Sequence, residues 1–179
     1  MLTVKSLLVK PSPGRVLLFI GLLWLGGCGF QLNRNQFSLP EGAKSLSLIS
    51  VNNQTFVSGL DLDLKAELSG LFNRAGVTLS EGRGSDLEME LVLTQSSNNR
   101  EDLSIYNNLT YRYVFLHQGQ ITLVDWRNNR PLFEKTPVEG RFELETGATQ
   151  LSAEELREGR RKAMVKLAQQ IADKLTQNF

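Results

Sequence analysis

Chemistry has few places to start in this chain. It holds one cysteine, Cys28, and one histidine, His117. A single thiol makes no intramolecular disulfide and no cysteine-based metal site. His117 falls in a strand-like run among aromatics, with no serine or cysteine spaced to form a nucleophilic triad, so a structural or surface histidine is the favoured reading. Asp61 and Asp63 stand two apart on a predicted helix and point to different faces. The preference of carboxylates for a helix N-terminus explains them better than a metal or an acid/base pair. Gly82-Arg83-Gly84 is too short for a phosphate loop and lacks the following lysine and Ser/Thr. Tyr106, Tyr111, Tyr113 and Phe115 offer rings on which bases could stack, but core and interface packing is the better account. No acid, base and nucleophile converge, so the chain reads as non-enzymatic, with no catalytic residue, no metal and no cofactor beyond a covalent lipid.

That lipid is implied at Cys28, the end of Leu25-Gly26-Gly27-Cys28 and of the apolar run that begins at Val16. Ahead of the run stand Lys5, Lys10 and Arg15 and no acidic residue. This is the layout of a signal peptide, with an apolar stretch too short for a permanent span, which needs about 20 residues. The small residues Gly26 and Gly27 mark a cleavage site between Gly27 and Cys28. The stretch resembles the lipobox of bacterial lipoproteins. That resemblance implies a diacylglyceryl group on Cys28 Sγ, removal of residues 1–27, and acylation of the new N-terminus by a chain such as palmitate. Each buried methylene is worth about 0.8 kcal/mol, and two or more chains anchor stably. An ordinary secretory signal, the alternative, would leave a lone thiol in an oxidising compartment. Gly29 stands where an aspartate would, by analogy with lipoprotein sorting, favour the inner membrane, so the outer membrane is expected.

Removing Lys5, Lys10 and Arg15 from the 20 basic residues leaves 17 against 19 acidic ones. The mature chain therefore has no global basic field to attract nucleic acid. Residues 28–43 read as a short lipidated tether with Pro40-Glu41-Gly42 as punctuation, and 44–179 as one domain.

Within that domain a first strand is expected over Ser45–Val51, turned by Asn52-Asn53-Gln54. A helix over Gly59–Ala75 follows, with Ser58 as N-cap and a stripe of Leu60, Leu64, Leu68, Leu71 and Phe72. Gly76 ends it in the left-handed conformation. Leu87–Gln95 alternates as a strand with Glu88 and Glu90 on a wet face, making a parallel strand-helix-strand crossover. Ser96–Asn108 is polar and rich in turn residues. A long strand from Leu109 to Trp126 has Gly119 as a candidate bulge, and Arg127-Asn128-Asn129-Arg130 reads as a hairpin turn. The return strand, Leu132–Glu145, is expected at an edge or bulged, because Pro137 cannot donate to a ladder. Ser152-Ala153-Glu154-Glu155 is a capping box, stapled by Leu151 and Leu156, for a helix reaching Gln177. Its basic residues Arg157, Arg160, Arg161, Lys162 and Lys166 read as a solvated face, with contact to lipid A phosphates as the sharper alternative. The fold class is α+β, two layers: a four-stranded mixed sheet with two helices on one face, in the order β-α-β-β-β-α.

Several stretches together resemble the lipopolysaccharide-assembly lipoprotein family LptE. They are Cys28-Gly29-Phe30-Gln31-Leu32, the early strand, the helix ending in Ala75-Gly76-Val77, Thr110-Tyr111-Arg112-Tyr113, and the late helix with Ala163, Ala168, Gln169, Gln170 and Ile171. The resemblance implies a protein that plugs the outer-membrane β-barrel LptD, helps it assemble, and takes part in moving lipopolysaccharide to the cell surface. The implied partners are thus an LptD-like barrel, lipopolysaccharide, and the membrane through the anchor. By residue type and location, Arg127, Arg130 and Lys135 are the candidate lipopolysaccharide contacts, against plain surface solvation. A second function stays open: a periplasm-facing lipoprotein that binds a lipid or glycan in an apolar pocket, or scaffolds another envelope complex.

Overall fold

Period-two alternation of apolar residues dictates the strands, and the ladder between them dictates more than alternation shows. The computed structural model describes residues 38–103 and 110–177. A 3-10 turn at Pro40–Gly42 precedes β1 (Leu46–Asn53), α1 (Leu60–Arg74), β2 (Leu79–Glu81), β3 (Leu87–Asp102), β4 (Tyr111–Asp125), β5 (Arg130–Thr146) and α2 (Ala153–Gln177). The sheet order is β2-β1-β3-β4-β5. β1 pairs in parallel with β3, Leu46 opposite Leu87, as the crossover pattern requires, while β3–β4 and β4–β5 are antiparallel.

Both helices cover the same face of the sheet. Leu60, Leu64, Leu68 and Phe72 of α1 share one buried cluster with Met164, Leu167 and Ile171 of α2 and with Leu87, Met89, Leu91, Ile121 and Leu123 of the sheet. Full burial of each such side chain is worth about 1.5–3 kcal/mol, so this cluster is the main source of stability. A smaller cluster of Tyr111, Tyr113, Phe115 and Ala163, flanked by Phe142, Leu144, Leu151 and Leu156, lies under the first turns of α2. Tyr111 and Tyr113, two of the rings on which bases might have stacked, are therefore core. Two glycines let α2 press against the sheet: a Cβ on Gly140 would lie 2.2 Å from the Ala163 carbonyl oxygen, and one on Gly159 2.3 Å from the Phe115 ring.

Several expectations need correction. The sheet has five strands rather than four. The added one, β2, is three residues long and pairs with Leu46–Leu48, too short to carry a periodic signal of its own. β1 continues through Asn52 and Asn53, which were expected to turn. β3 runs seven residues past the expected end, through Ser96–Asp102, because Tyr111–His117 of β4 supplies a partner for a stretch whose composition reads as loop. Ser58 does not cap α1: Gly59, with φ +82°, precedes the helix, and no side chain caps it. Glu88 is buried rather than wet, and its carboxylate accepts the Gly84 N–H at 2.9 Å. The bulge next to Gly119 is in the partner strand at Thr94. In β5, an edge strand as expected, the irregularities fall at Glu134–Lys135 and at Leu132 rather than at Pro137, which keeps its place opposite Gln120. Residues 1–27, Cys28, the tether up to Phe37, Tyr106, Asn107 and Asn108 lie outside the described residues. The last part of the tether is not loose, since Leu39 and Pro40 are buried.

The end signals of the two helices are otherwise as expected. Gly76, with φ +80°, and Val77 close α1 with N–H bonds back to the Asn73 and Phe72 carbonyls, a Schellman motif. Ser152 and Glu155 exchange capping-box bonds at 2.8 and 3.2 Å.

Candidate functional site

The three cations singled out in the sequence sit at or after the β4–β5 hairpin. Asp125 ends β4 fully buried, and its carboxylate organises the turn. Oδ1 accepts the Arg127 N–H at 2.9 Å and its Nε–H at 3.1 Å, while Oδ2 accepts Arg127 Nη2 at 2.8 Å and Asn128 Nδ2 at 2.9 Å. The Arg127 guanidinium holds the Asp125 carboxyl well below the usual carboxylate range, and Asp125 in turn raises Arg127. Arg127 also donates to the Glu41 carbonyl oxygen at 3.4 Å, and Arg130 pairs with the Glu41 carboxylate. The structure thus brings Arg127 and Arg130 together on the N-terminal turn and commits both to acidic or carbonyl partners. Lys135 stands apart at the β5 irregularity, with φ +46° and its N–H 3.4 Å from Thr122 Oγ1.

Asp125 and Glu41 escaped the sequence reading. Asp125 carried a usable signal, since an aspartate two residues before the N–H it accepts is an Asx-turn pattern. Glu41 carried none, because its partner lies 89 positions away. A shallow pocket of about 480 Å³ opens beside the hairpin, with Arg83, Asp86, Glu88 and half-exposed Trp126 on its walls.

His117 is buried between β4 and α2, where its Nε2 lies 3.2 Å from the Arg160 carbonyl oxygen. Nε2–H is the donor in that bond, which leaves Nδ1 buried without a partner among the described residues. Burial pushes the imidazole pKa down, against the Arg160 carbonyl, which pulls it up. Of the two readings open from the sequence, structural or surface, the structure places His117 in the first. Asp63 reaches it only electrostatically.

A larger cleft, about 650 Å³, lies between the N-terminal halves of α1 and α2. Val57, Leu60, Leu156 and Met164 line it together with Asp63 and Arg160. Of the basic residues on α2, Arg157 pairs with Glu154 and Arg161 with Glu158, each three residues apart, the solvated face anticipated.

The sheet face opposite the helices is uncovered by the described residues. On it Val92, Val114, Leu116 and Val124 alternate with long charged side chains. Arg112 bridges Glu101, Glu143 and Glu145, and Arg141 pairs with Glu143. Among the described residues no group of three or more His, Cys, Asp or Glu side chains could hold a metal ion. No helix among them is long and apolar enough to cross a membrane.

No family model and no curated protein matches the chain. Solved structures similar to it include a minor lipoprotein from Acinetobacter baumannii, 20% identical, covering 75% of this chain and 91% of that one at a TM-score of 0.46. The rare lipoprotein B from Shewanella oneidensis is 14% identical over 72% of this chain and 92% of that one, with a TM-score of 0.46. A lipoprotein B from Nitrosomonas europaea is 14% identical over 83% and 90%, with a TM-score of 0.48. At TM-scores below 0.5 these likenesses carry neither family nor function over to this chain.

Proposed function

We propose that this protein is a lipid-anchored, non-enzymatic lipoprotein of the outer membrane that fills and helps to assemble an LptD-like β-barrel, and so takes part in delivering lipopolysaccharide to the cell surface. The observation that carries the reading is the uncovered sheet face. Apolar side chains from β3 and β4 are interleaved there with an Arg112-centred ion-pair network. A two-layer domain with one such mixed face suits a lumen whose wall is itself lined by alternating polar side chains. Arg127 and Arg130 would contact lipopolysaccharide only by giving up their present carboxylate and carbonyl partners, so any direct contact falls first to Lys135. The α1–α2 cleft favours a second reading, a lipid or glycan binder, because it joins an apolar floor to charged rims.

The deciding experiment is a detergent pull-down of the lipidated protein from its native envelope, with partners identified by mass spectrometry. A large β-barrel recovered one-to-one through stringent washing supports the plug. Recovery alone or with soluble partners overturns it and moves attention to the cleft.

A further inference from the structure

Unpaired main-chain groups along β5 point to a second binding surface, which does not depend on the barrel reading. Trp126 N–H bonds to the Asp86 carbonyl, and Leu103 N–H to Thr110. The even-numbered residues of β4 therefore direct their backbone groups toward β3, and the odd-numbered ones toward β5. Through the register Gly119↔Val138 and Phe115↔Phe142, even-numbered β5 residues bond to β4. Glu139, Arg141, Glu143 and Glu145 thus direct N–H and C=O away from the sheet. The Glu139 N–H confirms this direction, because it is capped from outside by Gln170 Oε1 of α2. From Arg141 onward none of these outward groups has a partner among the described residues.

Protection of this edge is confined to its first half, where the Glu134–Lys135 irregularity, Pro137 and the Gln170 cap lie. Beside the unprotected half runs a row of α2. Lys162 stands 4.9 Å over the Phe142 ring, and Lys166 falls between it and Gln170 at helical spacing. On the opposite side of the strand Glu139, Glu143 and Glu145 outnumber Arg141 and the neighbouring Arg112, which pair with Glu143 and Glu145, so the row keeps a net negative charge. An edge strand flanked by a helix is a geometry in which extended segments add as a further strand.

We infer that the β5 edge from Arg141 to Thr146 binds an extended segment of a partner protein whose charges alternate, with basic side chains toward Glu143 and Glu145 and acidic ones toward Lys162 and Lys166. A second copy is the poorer occupant, because pairing β5 with itself about Phe142 sets Glu139 opposite Glu145 at both ends, which offsets the two Arg141–Glu143 pairs at its centre, whereas an alternating segment meets every charge of the edge with its opposite. β3 from Ser96 to Asp102 has a second free edge, but no helical row of matching charge is seen beside it.

The test uses full-length lipidated protein in non-ionic detergent and two fluorescein-labelled nine-residue peptides. One alternates lysine with glutamate, and the other holds the same residues in two blocks. Fluorescence anisotropy should show the alternating peptide binding about tenfold tighter than the block peptide. Glu143→Pro should abolish that binding while leaving the melting temperature close to that of the parent, because the lost N–H faces outward. Asn98→Pro, at an outward position of β3, should leave binding as it was. If Glu143→Pro does not fold, Lys162→Glu with Lys166→Glu takes its place, with an expected loss of about tenfold. Equal binding of the two peptides, binding that survives Glu143→Pro or the double substitution, or loss with Asn98→Pro alone overturns the inference. So does concentration-dependent self-association without peptide that Glu143→Pro removes, which would give the edge to a second copy.

Discussion

Gly140 and Gly159 are positions where a single methyl group is enough to disturb the packing of α2, and they differ in what the methyl would meet. At Gly140 the obstacles are backbone atoms, the Ala163 carbonyl oxygen at 2.2 Å and the Leu167 nitrogen at 2.4 Å. Gly140→Ala must therefore move the helix, and chemical denaturation should show a loss of about 2–3 kcal/mol. At Gly159 the obstacle is the Phe115 ring, a side chain that can be trimmed. Gly159→Ala should cost a similar amount, and Phe115→Leu added to it should restore part of the loss, whereas no single side-chain change rescues Gly140→Ala. His117 supplies a pH signature. Its folded-state pKa lies below the ordinary imidazole value of about 6.5, so the unfolded chain binds the extra proton first. Stability is full above that value and falls as pH drops from it toward the lower folded pKa. Melting curves between pH 7.5 and 5 should show this slope, and His117→Gln should flatten it; an unchanged slope would assign the acid sensitivity to other groups. That His117 has no catalytic partners in sequence was legible, but its burial was not, because a strand among aromatics leaves structural and surface positions both open. The glycines were not, because their need appears only when α2 is laid across β4 and β5.

Local signals fix element ends where the partner is within one turn, and fail where it is distant. The capping box at Ser152 and the Schellman close at Gly76 were both legible, since each is complete within six residues. Ser58 looked equally suited to cap a helix, yet Asn53 organises the preceding loop instead, donating to the Val57 carbonyl at 2.8 Å and accepting the Thr55 N–H at 3.0 Å. These two serines make a matched prediction. Ser152→Ala should cost about 1 kcal/mol and Ser58→Ala close to nothing, read as shifts in denaturant midpoint at constant slope. A comparable loss at Ser58 would mean that it caps α1 after all. The same logic explains why the second half of β3 reads as loop in sequence. Ser96-Ser97-Asn98-Asn99 has no strand propensity of its own, and only the pairing with Leu116, Phe115 and Val114 makes it a strand. The hairpin was legible as a turn from its asparagines, whereas the Glu41 contacts that tie it to the start of the domain were not.

At the scale of the molecule, the proposed anchor on Cys28 and the domain would divide the labour of binding. The α+β class, the shared helix face and the parallel crossover follow from the order of periodic segments, so they could be read in advance. That the other sheet face is left uncovered by the described residues could not be, because alternation shows which side chains share a face and not which face the helices take. The ten residue-to-residue steps from Cys28 to Ser38 reach at most about 35 Å when extended, so a lipid on Cys28 would confine the domain to a thin shell beside the membrane. Confinement raises the effective concentration of the domain toward any membrane partner without adding a contact. Cys28→Ser should therefore leave the melting temperature of the domain unchanged, shift the protein from the membrane to the soluble fraction, and lower recovery of the barrel at equal expression. Overexpression of the unlipidated protein should restore that recovery, because mass action replaces the tether while the sheet face is intact. If recovery stays low at any expression level, the lipid itself is part of the interface. If Cys28→Ser changes neither fractionation nor recovery, Cys28 is not the anchor, and the domain surface alone carries the association.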